Sequence, residues 1–198
     1  MIDQNHIISI TILALILVFS FLGLNNYKTI ELFRHYPYEE SRNKSFYRWI
    51  TCGFVHGNLM HLLLNAFVLW QFGFIVETIF ISKFGDGNGR LIYLIIYLAI
   101  LALTCVPSYY KHKNNSSYAS IGASGAISGL LFIYIYFFPM NTLLVYFIPM
   151  PAILMGVLYL GYSYWASRNT NDGVDHDAHF YGAILGLIFA ILMDKITL

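Results

Sequence analysis

The sequence predicts an all-α, polytopic membrane protein with six transmembrane helices, on the basis of its composition and its apolar segments. Of the 198 residues, 58% are hydrophobic and only 11% are charged, whereas an average soluble domain is about 45–50% apolar and about 25% charged. A soluble fold of this size could not bury so much apolar surface, so lipid is expected to surround most of it. Six apolar segments also approach the roughly 20 residues that a helix needs to cross a bilayer.

The six predicted spans are separated by polar, charged or proline-marked breaks. Proline has no backbone N–H and clashes with the preceding turn, so Pro107 is expected to end the third span. Pro149 and Pro151 mark the entry to the fifth. The whole chain, residues 1–198, is predicted to form one six-helix domain. The spans are residues 7–24, 58–80, 91–108, 123–138, 151–167 and 178–196.

The connectors between these spans differ in character. The first, residues 25–57, mixes Tyr, Phe and Trp with charged residues, which predicts a structured segment associated with the membrane. Residues 111–118 and 168–177 are polar and are expected to form loops. Residues 140–150 are apolar, but they are too few to span a bilayer.

Charge and cysteine usage narrow the classes of partner. The formal net charge is only +1, so nothing suggests nucleic acid or another polyanion. Cys52 and Cys105 lack the spacing of a metal or redox motif, and the apolar surroundings of Cys105 argue against a disulfide. No metal ion or small-molecule cofactor is predicted. The chain is expected to be an integral, multi-pass protein of the plasma membrane or a bacterial inner membrane.

Strongly polar side chains inside the predicted spans are few, and such groups are costly in lipid unless they are paired or functional. The second, fourth and sixth spans each follow an odd-numbered connector, so all three begin at the same membrane face. His61 and Asn65 lie in the first turns of the second span, Ser124 opens the fourth and His179 opens the sixth. These four side chains are therefore predicted to lie at similar depth near one face.

A serine and a histidine at one depth can form a nucleophile–base pair if their helices are neighbours. Neutral His179 would take the proton of Ser124 and later deliver it to the leaving amine. Ser124 lies at a helix N-terminus, where backbone N–H groups are free to stabilise an anion. His61 and Asn65, at positions i and i+4, could point to the same place.

Only two carboxylates lie close to His179 in sequence, and both precede it directly. Asp175 or Asp177 could extend the pair to a triad, but a Ser–His dyad is the simpler interpretation. Taken singly, Ser124 could also be a small residue that permits close helix packing, and Asn65 could hydrogen-bond between helices. Their common depth favours a functional site.

Three motifs occur in order on these spans. Residues 122–125 read GASG, residues 61–65 read HLLLN, and residues 178–186 read AHFYGAILG. They resemble the GxSG, HxxxN and AHxxGxxxG motifs of the rhomboid family of intramembrane serine proteases. GxSG alone would be weak, but the three motifs in this order on these spans are highly specific.

The resemblance to rhomboid proteases implies a fold, a site and a substrate class. It implies a six-helix rhomboid-like bundle with a catalytic dyad of Ser124 and His179 and no cofactor. The oxyanion hole would comprise the Ser124 N–H with His61 and Asn65. Substrates would be transmembrane segments of other membrane proteins.

Some further residues match the rhomboid pattern and one departs from it. Arg48 resembles the arginine of the family's first loop, and Glu77 matches a carboxylate that the family often carries. Gly182 and Gly186 would pack the sixth helix against the fourth. Four residues after the nucleophile, however, the family commonly has an aromatic that packs against the catalytic histidine. Here that residue is Ser128, so less apolar support is expected for the ring of His179.

Two other functions are compatible with parts of this pattern. One is a non-catalytic rhomboid-like binding protein, although such proteins have typically lost the serine or the histidine. The other is a metal or proton transporter, but the polar groups gather at one end of the spans and not at the midplane. That transporter would use His56, His61, His176, Asp177 and His179.

Overall fold

A computed structural model describes residues 6–145, 147–170 and 172–196. Within these residues the chain forms ten α-helices and one β-hairpin, with a 3₁₀ turn at Cys52–Phe54 and a π-helical turn at Leu69–Gly73. The helices are α1 Ile7–Asn25, α2 Tyr27–Phe33, α3 Pro37–Asn43, α4 Arg48–Thr51, α5 Leu59–Val68, α6 Phe74–Phe84, α7 Asp86–His112, α8 Ser124–Phe137, α9 Ala152–Asn169 and α10 His176–Ile196. The strands are β1 Thr142–Val145 and β2 Ile148–Pro151.

Four helices of the described chain are long and apolar enough to cross a membrane. They are Ile7–Asn25, Leu59–Phe84 (α5 and α6 joined by the π turn), Asp86–His112 and His176–Ile196. The chain is therefore an integral membrane protein. The helix α8 is apolar but shorter, and α9 ends in a polar turn with Ser167, Arg168 and Asn169.

The short helix α8 is the centre of the fold. Its residues 125–135 are all buried, and it packs against α7, α9, α10 and the π turn. With 14 residues it is about 21 Å long, against roughly 30 Å for the hydrocarbon layer. The helical residues of α8 are therefore too few to cross a layer of that thickness by themselves.

Glycines bring α8 and α10 into backbone contact. A Cβ atom on Gly182 would overlap the carbonyl oxygen of Gly125, and one on Gly186 would overlap the backbone of Gly129. Only residues without a side chain allow helices to approach this closely. This confirms the predicted packing of Gly182 and Gly186 against the fourth span.

The first connector folds as α2, α3, α4 and the 3₁₀ turn, and it packs on α7. Buried Glu40 accepts hydrogen bonds from the Trp49 indole, at 2.9 Å, and from the Tyr36 N–H. His35 joins the carboxylate of Glu40 to the hydroxyl of Ser108 on α7. Every polar group of this cluster is thus paired, as burial requires.

Arg48 holds the first connector together from within. Its guanidinium donates to the carbonyl oxygens of Glu31 and Arg34, at 2.7 and 3.1 Å, and pairs with the Glu39 carboxylate. Arg48 thus ties α2 to α3 and α4, and it does not line the cavity described below.

Glu77 lies within α6 and anchors the start of α1. Its carboxylate accepts from the N–H groups of Ile8 and Ser9, at 3.1 and 2.8 Å, and from Arg90 of α7. The first N–H groups of a helix have no intrahelical partner, so a buried carboxylate is stabilised there.

Two local predictions differ from the structure. The third span does not end at Pro107, because α7 continues to His112 with Pro107 inside it. Beyond Pro107 the helix packs against the first connector, where Ser108 and His35 are within hydrogen-bond distance at 2.9 Å. Residues 140–150, for which no regular structure was predicted, contain β1 and all of β2 except Pro151, and the two strands form an antiparallel hairpin with Thr142 opposite Pro151.

Candidate active site

A cavity of about 720 Å³ opens between the first turns of α5, α8 and α10 and one side of α9. The even-numbered predicted spans begin at this end of the bundle, which is why their polar residues meet here. The polar and aromatic side chains that line it include His61, Asn65, Ser124, Ser128, Tyr159 and His179.

Ser124 and His179 face each other across the contact between α8 and α10. The distance from His179 Nε2 to Ser124 Oγ is 2.7 Å, well within hydrogen-bond range. In the neutral tautomer with its proton on Nδ1, the imidazole accepts this bond through Nε2. The glycine contact between the two helices makes such a short distance possible, because it brings their backbones together.

The two nearby carboxylates bond elsewhere. Asp175 accepts from the Ala178 N–H, at 3.0 Å, and from the Tyr118 hydroxyl, at 2.6 Å. Asp177 pairs with Lys111 at 2.7 Å. Asp175 therefore caps the first turn of α10 and ties it to the loop before α8, and this arrangement favours a dyad over a triad.

The backbone before Ser124 is held in a conformation that favours glycine. Gly122 has φ +117°, where a side chain would be strained. A Cβ atom on Gly122 would also lie 2.8 Å from His61 Nε2. The Gly122 N–H donates to the Cys52 carbonyl at 2.9 Å. The turn that presents Ser124 is therefore fixed by the first connector and by the ring of His61.

His56 supports the same turn from behind. The Ala123 N–H donates to His56 Nε2 at 3.4 Å, and His56 Nδ1 lies 2.9 Å from the Ser20 hydroxyl. Because Nε2 accepts, the neutral ring donates through Nδ1 to Ser20, whose own hydroxyl donates to the Phe54 carbonyl. Burial, and to a lesser extent the neighbouring His61, lowers the pKa of His56 to about 3. The sequence offered His56 only as a residue of a metal or proton transporter, because its partners Ser20 and Ala123 are remote in the chain.

His61 and Asn65 both line the cavity from α5. Asn58 caps the N-terminus of α5, and its side chain accepts from the His61 N–H at 2.8 Å. The amide of Asn65 donates one hydrogen to the His61 carbonyl at 2.8 Å. A primary amide has two hydrogens, so a second donor is left for a group bound beside Ser124.

An aromatic ring does pack against His179, but it comes from a different helix than expected. The ring of Tyr159 on α9 lies 6.4 Å from the imidazole, centroid to centroid, at 28° between planes. His179 therefore has an aromatic neighbour, although not from position 128, where the family pattern places it. Nothing in the sequence around Tyr159 predicts this contact, because it depends on how α9 is rotated against α10.

The candidate metal ligands do not converge. Among residues 6–145, 147–170 and 172–196, no three His, Cys, Asp or Glu side chains are placed to hold a metal ion. Buried His176 pairs with Asp172 at 3.1 Å, and Asp177 pairs with Lys111. The metal form of the transporter hypothesis thus has no ligand cluster among the described residues.

The fold and the site define a class of helical membrane protein in which a serine at a helix start meets a histidine inside the bundle. The model of the rhomboid domain matches residues 43–195, more than half of the chain. The protein belongs to the rhomboid family.

Curated relatives carry the same family name in bacteria and in organelles. The chain is 29% identical over 147 residues to the mitochondrial RHOMBOID-like protein 12 of Arabidopsis thaliana, covering 70% of this chain and 44% of the relative. It is 30% identical over 146 residues to the rhomboid protease GluP of Bacillus subtilis, covering 73% and 25%. To the rhomboid protease GlpG of Salmonella newport it is 25% identical over 189 residues, covering 92% and 61%. The chain thus spans less than two thirds of each of these relatives.

Proposed function

We propose that this protein is an intramembrane serine endopeptidase that cleaves transmembrane segments of other membrane proteins with a dyad of Ser124 and His179. The observation that carries the proposal is the 2.7 Å contact between His179 Nε2 and Ser124 Oγ inside the bundle. Relatives named as rhomboid proteases support the reaction class.

In the proposed mechanism His179 removes the proton of Ser124 while the serine oxygen attacks the scissile carbonyl carbon. The negative charge on the carbonyl oxygen is stabilised by the Ser124 N–H and by donors from His61 and Asn65. The tetrahedral intermediate then collapses, the peptide C–N bond breaks, and His179 gives its proton to the leaving amine. Water, deprotonated by His179, hydrolyses the acyl-enzyme and restores the Ser124 hydroxyl.

The fold is proposed to be a six-span bundle, in which α8 and α9 cross the membrane beside the four longer helices. The neighbours of α8 cover it, so it can be short without exposing polar backbone to lipid. The dyad at its N-terminus would then lie below the membrane surface, at a depth that a transmembrane substrate can reach.

The test is covalent labelling combined with proteolysis. The purified protein in detergent should react with a fluorophosphonate at Ser124, and Ser124→Ala or His179→Ala should abolish cleavage of a transmembrane model substrate. Ser167→Ala, a serine at the exposed end of α9, should cleave like the wild type. Undiminished cleavage by Ser124→Ala would exclude the serine-protease function, and absence of both labelling and cleavage in the wild type would favour a non-catalytic rhomboid-like protein.

The proposed function does not specify which membrane of the cell contains the protein. The relatives include mitochondrial and bacterial proteins, so family membership does not assign a compartment. The plasma or bacterial inner membrane stays a prediction, which immunolocalisation of the full chain would test.

A further inference from the structure

Tyr159 links the two proposed catalytic helices to α9. We propose that Tyr159 is a positioning residue, which holds the imidazole of His179 in the orientation needed to accept the proton of Ser124. This inference rests on the proposed protease function. It makes α9 part of the catalytic apparatus, although α9 contributes neither member of the dyad.

The ring of Tyr159 lies beside the ring of His179 in a nearly parallel orientation. Their planes are 28° apart and their centroids 6.4 Å apart, at the outer limit for a stacked pair. On α8, the ring of Phe132 lies 5.9 Å from Tyr159 at 51°. With an aromatic neighbour on each of two helices, the phenol ring has little freedom to rotate away from the imidazole.

The hydroxyl of Tyr159 is fixed by a chain of hydrogen bonds that leads back to the nucleophile. Ser128 Oγ donates to the Ser124 carbonyl oxygen at 2.7 Å, which uses the only hydroxyl hydrogen of Ser128. Ser128 Oγ and Tyr159 Oη are also within hydrogen-bond distance, so the tyrosine must be the donor. The order is therefore Tyr159 to Ser128 to the backbone of Ser124.

These contacts give Tyr159 two roles at once. Its hydroxyl is hydrogen-bonded to Ser128 on the helix that carries Ser124. Its ring lies beside the imidazole of His179. The phenol therefore connects the ring of His179 to the helix that carries Ser124, beside the edge contact that His179 makes with the ring of His176 at 5.8 Å. Ser128 is too short to pack against His179 itself, but it provides the acceptor that orients the longer side chain.

The experiment compares two substitutions of Tyr159 with a matched tyrosine. Tyr159→Leu removes the ring and the hydroxyl, whereas Tyr159→Phe keeps the ring. Tyr164→Leu is the control, because Tyr164 also lies on α9 and packs on α10, through Phe180 at 5.6 Å, without contacting His179. Each variant is assayed in detergent for kcat and KM with a transmembrane model substrate, for the rate of fluorophosphonate labelling, and for thermal unfolding.

For Tyr159→Leu we expect kcat and the labelling rate to fall about tenfold, equivalent to about 1.4 kcal/mol, with KM within about twofold. Tyr159→Phe should lose less than Tyr159→Leu because it keeps the ring, but more than wild type because it loses the bond to Ser128. Tyr164→Leu should stay within about twofold of wild type. If Tyr159→Leu lowers the unfolding temperature strongly, Tyr159→Met provides a second aliphatic side chain for the same comparison.

Three results would overturn the inference: wild-type kcat in a folded Tyr159→Leu or Tyr159→Met variant, a loss in Tyr159→Phe as large as in Tyr159→Leu, or an equal loss in Tyr164→Leu. The proposed protease function fails separately. It fails if Ser124→Ala still cleaves, whereas the role of Tyr159 fails if Ser124→Ala is inactive and the aliphatic variants are not impaired.

Discussion

At the residue scale, the chemistry of the site depends on side chains whose partners are remote in sequence. Ser124 and His179 are 55 positions apart, and their 2.7 Å contact requires two helix starts to coincide. His56 also has distant partners, Ser20 and Ala123, whereas Asn65 bonds the carbonyl of His61 within its own helix. Each of these residues supports a prediction of its own.

Asn65 is predicted to stabilise the oxyanion. Asn65→Ala should lower kcat about 10²–10³-fold, as loss of one such donor does in other hydrolases, with little change in KM. The matched control is Asn169→Ala. The amide of Asn169 makes the same type of bond to the carbonyl four residues earlier, at 2.7 Å, but it lies outside the cavity. If Asn65→Ala and wild type are equally active, Asn65 does not stabilise the oxyanion.

His56 is predicted to make stability depend on pH. Its pKa is 6.5 in the unfolded chain and about 3 in the folded protein, so between these values the unfolded state binds more protons. Acidification therefore favours unfolding, by about 2 kcal/mol between pH 7 and pH 5 for this group. Stability should be retained above pH 6.5 and fall progressively below it.

Unfolding in detergent at several pH values measures this effect. His56→Gln supplies a side-chain oxygen for the Ala123 N–H without a titrating group, and its stability should vary less with pH than that of wild type. If the two proteins lose stability equally between pH 7 and pH 5, His56 is not the source of the acid sensitivity.

At the element scale, the contact between α8 and α10 sets the distance between the two members of the proposed dyad. The glycine pairs on these helices leave no room for a side chain, and the backbone of Gly129 lies directly against Gly186. In a membrane, such contacts stabilise helix association through packing, since lipid provides no hydrophobic drive for one helix to bury another.

Gly186→Val is predicted to separate these helices. The valine side chain would overlap backbone atoms that cannot move independently, so we expect a loss of about 3 kcal/mol or more in unfolding free energy. Cleavage should fall with it, because Ser124 and His179 move apart. The control is Gly161→Ala on α9, where a Cβ meets nothing within 4 Å and helix propensity favours alanine by up to about 1 kcal/mol. A stable, active Gly186→Val variant would contradict this account.

At the scale of the whole molecule, α1 connects the two ends of the bundle. Near its start the Ser9 N–H is held by Glu77, and near its end the Ser20 hydroxyl is paired with His56 behind the turn that carries Ser124. The first connector holds the same turn through the Cys52 carbonyl. Elements outside the cavity therefore determine how the nucleophile is presented within it.

The helical membrane class and the common face of the polar residues followed from local properties of the sequence. Apolar run length predicts a span, and the order of spans determines at which face each begins. His61, Asn65, Ser124 and His179 were placed together in this way, and the structure brings them to one cavity. The three motifs in their order were sufficient to predict the rhomboid family. The match of the rhomboid domain to residues 43–195 confirms that prediction.

The rotation of each helix about its axis, its depth in the bundle and the residue at which it ends depend on packing between distant segments. The extension of α7 beyond Pro107 depends on its contact with the first connector. The role of His56, which precedes α5, depends on its contacts with α1 and with the turn before α8, and that of Tyr159 depends on which face α9 presents to α8 and α10. An apolar run has no marked face, since nearly every position is hydrophobic, so its sequence carries little information about rotation. Direct contact between helices supplies that information, which is why the aromatic beside His179 came from α9 and not from α8.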